Sequence, residues 1–251
     1  PFTTSTLQQE AARKLHFPAR RTMRTAQKLY ENGFITYMRT DSTHLSDEAL
    51  KASRDYIIDT FGKKYAPKTP NIYKTKVKNA QEAHEAIRPS GSTFASVESA
   101  KTKLGDDEGK LYDLIWKRTI GSQMASAKLK QTTVTIENNS ATFRATGRVI
   151  IFPGYMKIYV EGRDDSSKGL ADRESVLPNM KKGDTLDCIS LDAEEHNTKP
   201  PARFTEASLV KELESDGIGR PSTFANIIDT ILFREYVTKT KGALVPTFLG
   251  V

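Results

Sequence analysis

The sequence predicts a multidomain α+β protein built from three consecutive regions. Residues 1–123 show mostly helical spacing of apolar side chains, whereas residues 124–195 alternate apolar and polar side chains and are rich in Thr, Val and Ile. Residues 196–251 predict two helices around a tight turn and then a hairpin, the outline of a helix-turn-helix or winged-helix segment. We therefore expect a helical domain, an antiparallel β domain and a smaller helical segment.

The first region opens with two helices and continues through a β-biased run. Ser5 followed by Gln8 has the pattern of a capping box and predicts a helix over 6–15. A second helix is expected over 21–32, ended by Gly33. The next elements are a β-biased run over 34–39 and a helix over 47–61 that is capped by Ser46. They are followed by an exposed Lys-rich loop over 63–79, a short helix over 80–87 that Pro89 ends, and a longer amphipathic helix over 108–124.

The second and third regions differ in the spacing of their apolar side chains. Alternation predicts four antiparallel strands in the second region, at 130–137, 141–151, 155–160 and 185–191, with a polar loop over 161–182. In the third region a helix over 205–214 is followed by a tight turn at 216–221. Ser222 is expected to cap a helix that extends to residue 233, and two short strands complete the hairpin, at 235–239 and 243–248.

Composition excludes several classes of protein. Hydrophobic residues make up 37% of the 251 residues, and no run of about 18 uncharged apolar residues is present, so a membrane-spanning helix is not expected. A single cysteine, Cys188, excludes a disulfide framework within the chain and a cysteine-based zinc cluster, which favours the reducing cytoplasm. The chain starts at Pro1 without an apolar signal segment and ends inside a predicted strand, so we expect it to be part of a longer protein.

The net charge of +7 is concentrated in one part of the sequence. Residues 1–88 contain sixteen Lys and Arg against nine Asp and Glu, whereas the remaining residues contain twenty-two of each. A local basic excess favours a surface that faces a polyanion, and a solvated basic surface without a partner is the alternative.

Tyr37, Arg39 and Asp41 form the first candidate site. In a strand, residues two apart share a face, so the three side chains are expected to project together. A phenol beside a guanidinium can serve as a nucleophile next to a phosphate-binding cation. A strand with a polar outer face accounts for the same residues.

Two further groups contain candidate phosphate-binding residues. Helical spacing places His84 and Arg88, four residues apart, on one face, where they can share an anionic oxygen. A surface histidine paired with neighbouring glutamates is the alternative. Arg88 stands where a metalloprotease zinc motif has its second histidine, so such a zinc site is excluded. Arg220, Ser222 and Thr223 follow a glycine turn at the start of a helix, a typical anion site that a simple helix cap can also explain. Closely spaced acidic residues at a strand end are absent from the sequence, so we expect no metal site.

Together these segments resemble the type IA DNA topoisomerases of bacteria. The run from Gly33 to Ser42 is similar to the active-site tyrosine motif of that family. Two further blocks occur in the family's order, at 83–89 and at 207–213 continuing through 219–223.

The resemblance implies that Tyr37 attacks a phosphate of single-stranded DNA and holds the 5′ end as a phosphotyrosine. It further implies that Arg39 stabilises the scissile phosphate, that His84 positions DNA phosphates, and that Asp41 and Arg88 lie nearby. Arg220, Ser222 and Thr223 are expected to contact the strand. The second DNA strand then passes through the gap, religation needs no ATP, and negative supercoils relax.

The chain differs from the whole family pattern in lacking the Toprim domain, which binds Mg²⁺. The resemblance implies a tyrosine-bearing helical domain over 1–123, part of the β arch and hinge over 124–195, and part of the DNA-groove domain over 196–251. An incomplete sheet has open edges, so we expect these edges to be prone to pairing with a second copy. The remaining domains of the enzyme and single-stranded DNA are the other expected partners. Without the Toprim domain, we expect the isolated chain to be inactive.

Two alternative functions are open at this level. A tyrosine recombinase also uses Tyr, Arg and His on DNA, but its tyrosine follows the other two residues, whereas Tyr37 precedes Arg39 and His84. A DNA-binding protein without catalytic activity, acting through the winged-helix-like segment, is the second alternative.

Overall fold

The computed structural model describes residues 1–73, 85–162 and 176–251. Seven helices and four strands lie in these ranges. The helices are α1 (Thr4–Leu15), α2 (Ala19–Glu31), α3 (Asp47–Phe61), α4 (Val97–Leu104), α5 (Asp106–Gln123), α6 (Glu206–Ser215) and α7 (Phe224–Phe233). The strands are β1 (Lys128–Asn138), β2 (Ala141–Phe152), β3 (Val237–Thr240) and β4 (Ala243–Pro246). The mixture of helices and small antiparallel sheets confirms the predicted α+β class.

Helix α1 begins two residues earlier than predicted. Thr3, rather than Ser5, is the N-cap, and its side chain and that of Thr6 form a reciprocal capping box. Ser5 lies within the helix, where its hydroxyl donates to Glu214 at 2.7 Å. The local Ser5–Gln8 pattern was therefore misleading, because a tertiary contact uses the hydroxyl that capping would need.

Other helix starts follow from local signals. Ser46 caps α3 as predicted, its side chain accepting from the Ala49 amide at 3.4 Å. Helix α4, which was not predicted, is capped in the same way by Ser96. Helix α5 begins at Asp106, where three acidic residues lie in the first turn and favour the positive end of the helix dipole.

The main core lies among α1, α2 and α5. Its fully buried side chains come from these helices and from two non-helical segments that cross them: Phe2, Leu7, Leu29, Ile87, Leu111, Tyr112 and Ile115. Phe34, Ile35 and Met38 belong to the same core. The segment that carries Tyr37 is therefore packed against the most buried part of the molecule.

The central β region is a long two-stranded ribbon in the described residues. β1 and β2 pair in antiparallel register from Lys128↔Phe152 to Asn138↔Ala141, and most residues on both faces are exposed. The strands predicted at 155–160 and 185–191 were wrong. Residues Gly154–Lys157 form a 3₁₀ turn, and residues 185–191 are irregular and exposed. Alternation alone does not form a strand when no neighbouring strand pairs with it.

A buried polar cluster holds the chain where it returns from the ribbon. The Glu10 carboxylate on α1 accepts from the Tyr159 hydroxyl at 2.5 Å and from the Gly162 amide at 3.0 Å, and Lys14 lies 3.1 Å away. Burial opposes ionisation of Glu10, but these three groups outweigh it and lower its pKa. Burial and the adjacent carboxylate raise the pKa of Tyr159, although Arg118 acts in the opposite direction.

The third region has the predicted order of helix, turn, helix and hairpin, and it packs against the first. Val210, Phe224 and Ile228 form a small apolar cluster with Ala19 of α2. The Glu206 carboxylate accepts from the Ala19 amide at 2.9 Å, at the N-terminus of α2, and pairs with Lys239 at 2.7 Å. Among the described residues, no helix is long and apolar enough to cross a membrane.

Candidate nucleic-acid interface and tyrosine site

Tyr37 lies on an irregular loop, so the prediction of a strand over 34–39 was wrong. Ile35 forms a single β-bridge with Pro89, and the rest of this run is not strand. The Tyr37 side chain is 47% exposed and its ring packs edge-on against Tyr30, with 5.2 Å between ring centroids. The phenol is therefore supported on one side and open to solvent.

Hydrogen bonds to distant segments fix this loop without a strand ladder. The Thr36 amide donates to the Arg88 carbonyl at 2.9 Å, and the Thr36 hydroxyl donates to the Ala86 carbonyl at 2.7 Å. Met38 and Thr40 are buried, whereas Tyr37 and Arg39 are exposed. The alternation that predicted a strand thus exists, and it places Tyr37 and Arg39 on the outside of a fixed loop.

Arg39 lines a groove of about 250 Å³ between α2 and the start of α7. Ser222, one of the predicted DNA contacts, lies on the opposite wall. The complete lining is Arg20, Met23, Arg24, Gln27, Arg39, Pro221, Ser222, Ala225 and Asn226. The structure therefore brings together two predicted site residues from distant parts of the sequence.

The sequence reasoning missed the contribution of α2 to this groove. Arg20, Arg24 and Gln27 recur at helical spacing on one face of α2, a signal that could have identified them. Arg20 pairs with Asp229 at 3.3 Å. Within the described ranges, Arg24 and Arg39 have no carboxylate at ion-pair distance, so their charges are available to an anionic ligand.

The turn before α7 is stabilised by its own side chains. The Thr223 hydroxyl accepts from the Arg220 amide at 2.8 Å, which commits that hydroxyl to the turn, and the Arg220 side chain is exposed. Gly219 has a φ of +82°, and a Cβ there would lie 2.9 Å from Ile227 Cδ1, so the turn requires glycine. Ser222 does not cap α7, because Thr223 occupies the N-cap position.

Arg88 lies beneath the tyrosine loop rather than on the groove surface. Its guanidinium donates to Glu85 at 2.7 Å, to the Pro89 carbonyl at 2.7 Å and to the Ser46 hydroxyl at 3.2 Å, and the residue is 5% exposed. Burial opposes ionisation of Glu85, but the bonds from Arg88 and Ser46 outweigh it and lower the pKa of that carboxyl.

The helix predicted over 80–87 was wrong where it can be compared. Residues 85–89 are non-helical, with β-bridges from Ile87 to Phe2 and from Pro89 to Ile35. His84, the third predicted catalytic residue, lies outside the described residues. Asp41 is half-buried just beyond Arg39.

The metal-binding potential of the described ranges is low. They contain no group of three or more His, Cys, Asp or Glu side chains that could hold a metal ion. No reaction step through Mg²⁺ is derived from the described residues.

Comparisons with known proteins agree on one family. The family described as DNA topoisomerase matches residues 1–251. The chain is 56% identical over 248 residues to DNA topoisomerase 1 of Synechocystis sp. and 56% identical over 255 residues to that of Streptomyces coelicolor. These matches cover 99% and 100% of the chain but 27% of each relative, so the chain spans about a quarter of their length.

A solved structure gives the same result for the fold. Full-length topoisomerase I from Thermotoga maritima is 40% identical, with a TM-score of 0.83 over 100% of this chain and 40% of that one. Because the family match extends over every residue, the chain that carries Tyr37, Arg39 and the α2–α7 groove belongs to the DNA topoisomerase family, as a bacterial type IA topoisomerase I sequence.

Proposed function

We propose that this chain is the tyrosine-bearing part of an ATP-independent type IA topoisomerase, in which Tyr37 cleaves one DNA strand. The observation that carries the proposal is the joint exposure of Tyr37 and Arg39 on a fixed loop whose Arg39 lines a basic groove. A nucleophile and a phosphate-binding cation so arranged suit transesterification at a phosphodiester.

The chemistry exchanges one phosphate ester for another. The Tyr37 phenolic oxygen forms a bond to phosphorus, the bond from phosphorus to the 3′ oxygen breaks, and the phenolic proton is balanced by the proton gained by the 3′ hydroxyl. The DNA 5′ end stays on Tyr37 as a phosphotyrosine ester. Reversal by the 3′ hydroxyl reseals the strand without ATP, and passage of the second strand through the gap relaxes negative supercoils.

Arg39 stabilises the charge that develops on the scissile phosphate, because a guanidinium donates two parallel hydrogen bonds to phosphate oxygens. Arg220 and Ser222 contact the strand beside the α7 turn, and Arg20 and Arg24 of α2 extend this surface. Thr223, expected to contact the strand as well, uses its hydroxyl to hold the turn that presents Arg220 and Ser222. Asp41, two residues after Arg39, is assigned to the DNA-binding residues by resemblance alone. His84 remains assigned to phosphate positioning by resemblance alone.

Arg88 has a structural role in this proposal. Its donors are used by Glu85, Ser46 and backbone carbonyls under the tyrosine loop, which leaves it unsuited to contact DNA directly. Its backbone carbonyl accepts from the Thr36 amide, so Arg88 also helps to fix the loop that carries Tyr37.

The substrate is a single strand in this proposal. The groove between α2 and α7 presents cationic and amide side chains, which bind the backbone of an unpaired strand without reading its sequence. Because the substrate is chromosomal DNA, the enzyme works in the bacterial cytoplasm at the nucleoid.

The remaining domains of the enzyme complete the active site. We assign residues 1–123 to the tyrosine domain, 124–195 to part of the β arch and hinge, and 196–251 to part of the DNA-groove domain with a winged-helix-like arrangement. Mg²⁺ is held by a Toprim domain outside this chain, so the isolated chain binds strands weakly and does not relax plasmids.

The experiment that tests the proposal is plasmid relaxation by the longer protein that contains this chain. Tyr37→Phe retains the ring packing on Tyr30 but removes the nucleophilic oxygen, so relaxation should be lost while affinity for single-stranded DNA is retained. Tyr30→Phe is the matched control and should relax plasmids normally. Full activity of Tyr37→Phe would instead favour the alternative in which this chain only binds DNA and the nucleophile lies elsewhere in the longer protein.

A further inference from the structure

One buried threonine bonds the backbone on both sides of Arg39. The Thr4 hydroxyl donates to the Met38 carbonyl at 2.7 Å and accepts from the Thr40 amide at 2.9 Å. The Thr4 amide also donates to the Thr40 carbonyl at 2.9 Å. A single hydroxyl thus donates to the residue before Arg39 and accepts from the residue after it.

These bonds are shielded from water. Thr4 is 0% exposed, Met38 1% and Thr40 2%. A buried amide or carbonyl that loses its partner cannot recover it from solvent, so the loop would have to move to satisfy these groups. The Arg39 side chain is exposed, so the protein fixes this residue through the backbone of its two neighbours.

Thr4 is itself held by a rigid element. It is the first residue of α1, directly after the N-cap Thr3 and within the Thr3–Thr6 capping box, and Leu7 on the same helix belongs to the main core. The position of the hydroxyl is therefore set by a packed helix rather than by the loop that it binds. On the other side, Thr36 holds the same loop to the Ala86 and Arg88 backbone.

We infer that Thr4 is a positioning residue for strand cleavage, which fixes the backbone around Arg39 so that the guanidinium and the Tyr37 phenol face the same phosphate. The inference rests on the proposed roles of Tyr37 and Arg39. Small displacements of a reacting group reduce rates strongly even when binding is unchanged. The hydroxyl, and not merely the volume of the side chain, is what this role requires.

The test uses the longer protein that contains this chain, with Thr4→Val as the nearly isosteric variant without the hydroxyl. At saturating single-stranded oligonucleotide, Thr4→Val should form the covalent adduct about 10- to 100-fold more slowly, with the dissociation constant for DNA within about twofold. Thr4→Ser restores the hydroxyl and should recover the rate to within about threefold. Rates are normalised to the folded fraction measured for each variant.

Thr119→Val is the matched control for removal of a buried hydroxyl. Thr119 is also 0% exposed, and its hydroxyl donates to a carbonyl of its own helix, that of Ile115 at 2.9 Å. Because that carbonyl is also the acceptor of a helical backbone bond, this variant should lose less stability than Thr4→Val, and it should keep the cleavage rate. An equal loss of rate in both variants, or a normal rate in Thr4→Val, would overturn the inference.

A double-mutant cycle separates positioning from general damage. If Thr4 acts through Arg39, Thr4→Val should slow cleavage less than about twofold in an Arg39→Ala background, because the group that it positions is gone. Additive losses would contradict the inference. Adduct formation by Tyr37→Phe would instead refute the proposed function, so the two failures can be told apart.

Discussion

At the scale of single residues, the distinction between Arg39 and Arg88 shows how the same side chain serves two purposes. Arg39 is exposed on a groove, with no carboxylate at ion-pair distance in the described ranges, whereas Arg88 is 5% exposed and bonded to Glu85, Ser46 and the Pro89 carbonyl. Residue type alone could not separate them. Burial does, because a guanidinium whose donors are used inside the protein cannot also clamp a phosphate.

Arg88→Met should destabilise the protein rather than its complex with DNA. Removing the guanidinium leaves the half-buried Glu85 carboxylate with the Ser46 amide as its remaining donor and removes the donor to the Pro89 carbonyl, so the free energy of unfolding should fall by about 3 kcal/mol. Urea unfolding measures this loss. The affinity of the folded variant for single-stranded DNA should be unchanged, and a selective loss of affinity at full stability would contradict the structural role.

The pair of Glu85 and Arg88 also predicts a pH dependence. Because folding lowers the pKa of Glu85, its stabilising effect is present at neutral pH and is lost as the pH falls through the lowered folded-state value. The difference in unfolding free energy between wild type and Glu85→Gln should be about 1–2 kcal/mol at pH 7 and should shrink at acidic pH. Urea titrations across this range give the difference, and a gap that widens on acidification would contradict the assignment.

At the scale of elements, two arginines three residues apart on α2 lie in different environments. Arg24 lines the groove, whereas Arg21 forms a bidentate pair with Asp107 at 2.8 Å for each bond. Arg24→Gln should therefore weaken single-stranded DNA binding and reduce the salt dependence of affinity by about 0.7 of a log unit per log unit of salt. Fluorescence anisotropy at several salt concentrations measures both.

Arg21→Gln is the matched control, since it removes the same charge from the same helix. Its effect on affinity should be smaller than that of Arg24→Gln at every salt concentration. Equal effects would mean that net charge, rather than the groove, determines binding.

The ribbon of β1 and β2 predicts self-association. Within the described ranges no third strand joins β1 and β2, and Val149 and Ile151 are 36% and 63% exposed. Ile151→Lys should shift sedimentation velocity of the isolated chain toward monomer at high concentration. Thr238→Lys adds the same charge to the exposed strand β3 and should leave the association unchanged. A wild-type chain that stays monomeric would contradict this expectation.

Elements with local signals were predictable, and those fixed by distant partners were not. Ser46 caps α3, and helix α6 begins after Thr205, because each cap needs only three neighbouring residues. The run over 34–39 has β-prone residues, but its hydrogen-bond partners are Thr4 and the backbone of residues 86–88 rather than a strand. It therefore forms a loop that these bonds fix in place. The helix expected over 80–87 is likewise absent at 85–87, where Ile87 forms a β-bridge with Phe2.

The candidate site was partly visible in the sequence for the same reason. Tyr37, Arg39 and Ser222 belong to recognisable motifs, and two of them meet at one groove. The α2 arginines were missed because their role appears only when α7 packs against α2 through Ala19 and Phe224. Their helical spacing could have indicated a basic helix face, but the opposite wall of the groove comes only from packing.

At the scale of the whole molecule, the basic excess, the fixed loop and the groove are parts of one arrangement. The net +7 of the first 88 residues lies on the segment that carries Tyr37, Arg39 and α2. The third region adds the second wall through α7 and is tied to the first by Glu206, which accepts from the Ala19 amide. The chain thus joins the loop that carries Tyr37 and the groove in one packed unit, while the ribbon extends from it.

The most direct test of the central claim is to identify which DNA end becomes attached to Tyr37. The longer protein that contains this chain is incubated with a single-stranded oligonucleotide labelled at either its 5′ or its 3′ end, and denatured. A 5′-phosphotyrosine predicts that only the 3′ label remains on the protein, on a peptide containing Tyr37, and that Tyr37→Phe retains neither label. Retention of the 5′ label, or an adduct in Tyr37→Phe, would contradict the account.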